Sequence, residues 1–216
     1  WVLEVLCDAV PSGSTVVLLT REVTPDWLAR VRSTGRLTEL TAEQLDFDVA
    51  EAERLLTGMG LTLDRRAVTE IVDHTEGWAV GVYLTGLSLR GDAGDGSRGR
   101  RMTRGSDRIV ADYLRTQVLD SLDEDRRQFL VLSSVLDELD GPLCDAVLER
   151  ADSAAMLADL HQRIQLVIAI DADERRFRYH HLLAEELAAE LAEAGAARIA
   201  GLHVRACLWF DARGDR

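Results

Sequence analysis

From Asp48 onward the apolar residues recur at intervals of three and four, in runs that open at Asp, Pro or Gly and often close at glycine. That rhythm admits little besides short helices packed on one another. "DVAEAERLLTGMG" opens on an aspartate cap and ends in glycine, and "TLDRRAVTEIVDHTEG" repeats the scheme. "WAVGVYLTGLSLRG" is apolar on most of its faces, which predicts the central helix of a small helical subdomain. Four more helical runs follow: "DRIVADYLRTQVLDSL", "DEDRRQFLVLSSVL", "GPLCDAVLER" and "DSAAMLADLHQRI". Then "LVIAID" and "RRFRYH", joined by "ADE", leave the helical period and read as a β-hairpin. Helix, helix, helix, hairpin is the order of a winged helix. "HLLAEELAAELAEAG" and "ARIAGLHVRACLWFDARG" read as two further amphipathic helices.

The first 45 residues have another character. "WVLEVLCDAV" predicts a helix, "PSGS" a turn, and "TVVLLT" (residues 15–20) a strand apolar on both faces, as in a parallel sheet covered by helices. "TPDWLARVRSTG" predicts a short helix starting at Thr24 and Pro25, and "RLTEL" an edge strand. "GDAGDGSRGRRMTRGS" is a solvated Gly, Ser and Arg linker with almost nothing to bury. The expected organisation is mainly α. It comprises the C-terminal end of an α/β domain in 1–45, a helical domain in 46–92, a linker in 93–105, a winged-helix domain with a hairpin wing in 106–194, and the first of a further set of helices in 195–216.

Composition narrows the chemistry. The net charge of −13 argues against a nucleic-acid grip, which needs clustered cations to displace counterions from phosphates. The 25 basic residues are all arginine, so a phosphate-binding loop ending in Gly-Lys-Ser/Thr is excluded within these residues, as is lysine chemistry. Cys7, Cys144 and Cys207 are odd in number and far apart, which predicts free thiols in a reducing cytoplasm. The opening run carries Glu4 and Asp8 and is too short to cross a bilayer, so no membrane partner is expected. No Ser-His-Asp, His-Glu-x-x-His or paired-acid pattern stands out. A hydrolase with His180 or His181 as general base would need a nucleophile that sequence alone does not place. In "GPLCDAVLER…DSAAMLADLHQRI" the second helix offers Arg163 as its one strong donor, too few for reading a DNA groove. The adjacent pair His180 and His181 falls where the hairpin gives way to a helix. Neighbours on a helix point about 100° apart, so a shared metal ion is not expected.

Four motifs in order, "VVLLTRE", "HTEGWAVGVYLTGLSLRG", "DYLRTQVLDSLDEDRRQFLVLSSVLDELDGPLCDAVL" and "FRYHHLLAEEL", resemble the large ATP-binding LuxR-type, maltose-regulator-like transcription regulators. These belong to the STAND class of signal-transduction ATPases. The resemblance implies that residues 1–45 close an NTPase domain and that 195–216 begin a helical-repeat sensor. The phosphate loop, the magnesium-binding acidic motif and the DNA-binding domain would lie outside this sequence. It implies ATP and ADP as ligands, with magnesium in the full-length protein, which would be a slow ATPase. It further implies an inducer at the sensor, self-association on activation, and DNA contact through the domain outside this chain. Residue by residue, it makes Arg21 the sensor of the terminal phosphate and sets Gly77 and Trp78 where relatives pack on adenine. A proline is often found in relatives near the position of Ala79. "YHHLL" aligns with a Met-His-Asp motif, so that His180 matches the histidine that contacts the β-phosphate of ADP and His181 stands where the aspartate would be. Gly77 and Trp78 equally suit a glycine that ends one helix and a tryptophan that anchors the next. A helical and winged-helix interaction module without nucleotide is the other reading of the whole.

Overall fold

The computed structural model describes residues 2–11, 13–19, 27–92 and 104–214. Helices dominate. The first part holds α1 (Val2–Ala9), α2 (Trp27–Ser33) and the short α3 (Ala42–Leu45). The helix starts expected at Thr24 and Pro25 lie outside the described residues, as does Arg21.

The strand expected at residues 15–20 is not found, nor is the edge strand at 36–40. Residues 15–19 have no ladder partner, with Val17 75% and Leu19 93% exposed. A doubly apolar strand is stable only between neighbouring strands and under helices, and among the described residues none lies beside it. Residues 36–40 are anchored instead by a side chain, since Arg32 donates to both carboxylate oxygens of Glu39 at 2.8 and 2.5 Å.

The helical subdomain is α4 (Val49–Gly58), α5 (Arg65–His74) and α6 (Ala79–Asp92). Asp48 and Asp64 cap α4 and α5, each carboxylate accepting an N–H of the first turn at 2.8 Å. Ala52, Leu56, Val68, Ile71 and Val82 form its core. Apolar on most faces, α6 serves two cores: Val82 faces α4 and α5, while Leu84 belongs to the larger cluster beyond. Its central place is as the sequence predicted.

The winged-helix part begins with α7 (Arg104–Tyr113), which packs along α6. A π-helical turn (Leu114–Val118) and a 3-10 turn (Leu119–Ser121) continue it, and α8 (Glu124–Ser133) follows. β1 (Leu139–Asp140), α9 (Gly141–Leu148), α10 (Ser153–Arg163), β2 (Val167–Ala169), β3 (Arg176–Tyr179) and α11 (His181–Glu193) complete it. The sheet is antiparallel in the order β1-β3-β2, with Leu139 opposite Phe177 and Val167 opposite Tyr179. The β2–β3 hairpin is the expected wing; Asp171 closes it by accepting the N–H groups of Arg175 and Arg176. β1 is an addition, a two-residue strand too short to show alternation. Phe129, Leu130, Leu139, Leu157, Leu183 and Leu187 fill the core at 1% exposure or less. Beneath the wing the Tyr179 hydroxyl shares a 2.7 Å hydrogen bond with Ser133, and burial pushes the phenol's pKa up. Finally α12 (Ala196–Arg213) lays Leu202 and Ala206 against this core. Among the described residues no helix is long and apolar enough to cross a membrane.

Candidate functional site

The end of α5 and the start of α11 meet, although about 105 residues separate them in sequence. How each end stops explains why. The α5 helix finishes at Thr75, whose N–H reaches Ile71 O at 2.9 Å. Then Glu76 (φ 47°) and Gly77 (φ 76°) both take the left-handed conformation and turn the chain into α6. Glycine is required at 77: an added Cβ would stand 3.0 Å from both Asp46 Cβ and Phe47 O. Glutamate takes such a φ at some cost, here as at Glu149 and Glu174, and at 76 its side chain is tied in place.

The holding group is the other side of the junction. Arg178, on β3, donates from both terminal nitrogens to Glu76, at 3.0 Å to Oε1 and 2.6 Å to Oε2. The backbone N–H of His181, first residue of α11, donates to Glu76 Oε1 at 3.1 Å, and His181 Nδ1 lies 2.9 Å from the same oxygen. A helix start carries unpaired N–H groups and a partial positive charge, and here its anion is the Glu76 carboxylate. Burial raises that carboxyl's pKa, but the Arg178 and His181 hydrogen bonds, with His180 nearby, outweigh it and bring it down to about 2.

His180 is the N-cap of α11 and is 4% exposed. Its Nδ1 accepts the Leu182 N–H at 3.3 Å and its Nε2 lies 3.0 Å from Thr75 O. An acceptor at Nδ1 leaves the proton on Nε2, so the ring is neutral and Nε2–H donates to Thr75. Burial is the main cause of its lowered pKa, with Glu76 and Thr75 opposing. Trp78 stands edge-on to both His180 (6.0 Å) and Tyr113 (5.9 Å). Trp78 also lines a cleft of about 360 Å³ with Val80, Tyr113, Gln117, Ile164 and Leu166.

The structure thus brings together three of the four expected site residues, Gly77, Trp78 and His180; the fourth, Arg21, lies outside the described residues. Gly77 turns the chain at the end of α5, and Trp78 packs edge-on against Tyr113 and His180. Thr75, Glu76 and Arg178 were not singled out from sequence, although Glu76 sits inside the "TEGW" motif and Arg178 inside "FRYHH". The two histidines do not diverge as neighbours within a helix would. His180 precedes the helix with ψ 135°, so the rings stack, 5.1 Å apart and 21° from parallel. Ligand atoms of Glu76, His180 and His181 lie within 4.8 Å of one another, a spacing that suits a metal ion. The chemistry of the set opposes one: Arg178 already occupies the carboxylate, and both His180 nitrogens are engaged. On α10, the helix weighed for DNA reading, Ala154, Ala155, Ala158 and Gln162 are exposed, and Arg163 is tied to Asp159 at 2.8 Å.

Three helices, a three-stranded sheet with a hairpin wing, and a helix pinned at its start to a neighbouring helical subdomain define a winged-helix module packed on a small helical one. Residues 115–199 match the family model described as the MalT winged helix domain. The serine/threonine-protein kinase PknK of Mycobacterium tuberculosis (strain ATCC 25618 / H37Rv) is 34% identical over 188 residues, covering 87% of this chain and 17% of that protein. The HTH-type transcriptional regulator MalT of Yersinia enterocolitica is 27% identical over 176 residues, 81% of this chain and 20% of the regulator. MalT of Vibrio cholerae is 27% identical over 187 residues, 83% and 20% respectively. The chain therefore spans about a fifth of the length of these curated relatives.

Proposed function

We propose that the chain is the coupling region of a cytoplasmic LuxR-type transcription regulator governed by ATP and ADP. The observation that carries this reading is the junction itself. "TEGW" and "YHH", two motifs of the family resemblance, bind each other across the helical subdomain and the winged helix. A change at either one is felt by the other through Glu76 and His180.

The donor set fits a phosphate in a limited way. His180 Nε2–H is a donor that a phosphate oxygen can accept, but in this arrangement it serves the Thr75 carbonyl. Bound ADP supplies charged acceptor oxygens; Gly77, Trp78 and His180 would hold it from this side and Arg21 would report a terminal phosphate. One N–H serves one good acceptor at a time, so His180 exchanges Thr75 for phosphate, and that exchange is the proposed switch. A ligand shifts such an equilibrium only because it contacts the two arrangements differently. Inducer sensing, self-association, DNA contact and slow ATP hydrolysis with magnesium belong in this proposal to the full-length protein.

The test uses the full-length protein. His180→Ala is expected to speed ADP release, and Arg21→Ala to erase discrimination between ATP and ADP. Unchanged ADP retention in His180→Ala removes the clamp and leaves the second reading, an interaction module closed by its own side chains, which the fully engaged His180 ring favours.

A further inference from the structure

We propose that Glu76 is an internal competitor for the phosphate assigned to His180, its carboxylate filling the anion position made by Arg178, the His181 N–H and the His181 ring. The inference rests on the nucleotide reading above. Its own support is geometric. Three independent donor groups converge on one carboxylate: a guanidinium fork at 2.6 and 3.0 Å, a helix-start N–H at 3.1 Å and an imidazole nitrogen at 2.9 Å. A fork plus a helix start is the donor arrangement that receives phosphate oxygens as readily as carboxylate oxygens. His180, the proposed phosphate contact, stacks directly on His181, so the two acceptors would crowd one another.

The competitor sits on a turn. Glu76 is at φ 47°, a conformation that carries a cost for a non-glycine residue. It lies on the turn between α5 and α6, so its release removes the Glu76 ties across the junction at the same moment as it frees Arg178, while the packing of α6 on α7 remains. Glu76 in place means a closed junction and weak phosphate binding. Glu76 displaced means an open anion site.

The sign of one measurement separates this from a purely structural tie. ADP affinity of the full-length protein is measured by isothermal titration for wild type, Glu76→Gln, Glu76→Asp and Glu76→Gln/Arg178→Ala. Competition predicts that Glu76→Gln binds ADP more tightly, about tenfold. It predicts a smaller gain for the shortened carboxylate of Glu76→Asp, and loss of the gain when Arg178 is removed as well. A structural tie predicts the reverse, weaker or unchanged ADP binding in Glu76→Gln, and that result overturns the proposal. Should Glu76→Gln fold poorly, the Glu76→Asp arm decides by the same sign. His180→Ala, measured alongside, keeps the two ideas apart. Unchanged ADP retention there removes the nucleotide reading, whereas faster release with no gain in Glu76→Gln removes only the competitor.

Discussion

Replacing Glu76 by Gln keeps the size of the side chain and an oxygen for the His181 N–H, and removes the charge together with the oxygen that accepts the second arm of the Arg178 fork. The gap between the ordinary carboxyl value of 4.5 and the folded value of about 2 corresponds to roughly 3.4 kcal/mol at about 1.4 kcal/mol per pH unit. Arg178 and His181 are 38% and 34% exposed, and solvent screening of such open partners leaves about 1.5–2 kcal/mol. Because the folded pKa is depressed, this stabilisation is fully present above pH 4.5 and is lost as pH falls from there through about 2. Denaturant unfolding of both proteins across that range should show Glu76→Gln less stable by this amount at neutral pH. The two curves should converge toward about pH 2. A neutral-pH difference below about 0.5 kcal/mol, or one that does not change with pH, would refute the view that charge holds the junction.

Three further outcomes are expected. His180→Asn keeps an N-cap for α11 but loses the Thr75 bond; it should lower stability by about 1–2 kcal/mol. Since the His180 pKa is lowered by burial, wild type should also lose stability as pH falls below 6.5, a loss the asparagine variant lacks. Gly77→Ala forces a Cβ against Asp46 and Phe47 at positive φ; thermal melting should report a cost of about 2 kcal/mol or more. Tyr179→Phe removes the hydroxyl from Ser133, which keeps its bond to Phe129 O at 2.6 Å, so denaturant unfolding should show a modest loss of about 1 kcal/mol.

Sequence periodicity located the helices well because each is amphipathic and carries its own start and stop. Asp48, Asp64 and Asp123 cap α4, α5 and α8 as their positions indicated. It also located the wing, whose two strands lie a few residues apart. It failed for the described residues 15–19 and for β1 for one reason seen from two sides. A strand exists through its partner, so an apolar run without neighbours stays unpaired, and two residues beside Phe177 become a strand without any pattern of their own.

The same division runs through the candidate site. Residue type alone set His180 at a helix start, a glycine at the α5–α6 turn and an arginine-only cation set. Tertiary structure alone decided that Glu76 would answer Arg178 and His181, and that His180 would spend its N–H on Thr75. Hydrogen bonds between groups over a hundred positions apart depend on how two subdomains close, and local pattern carries no record of that distance.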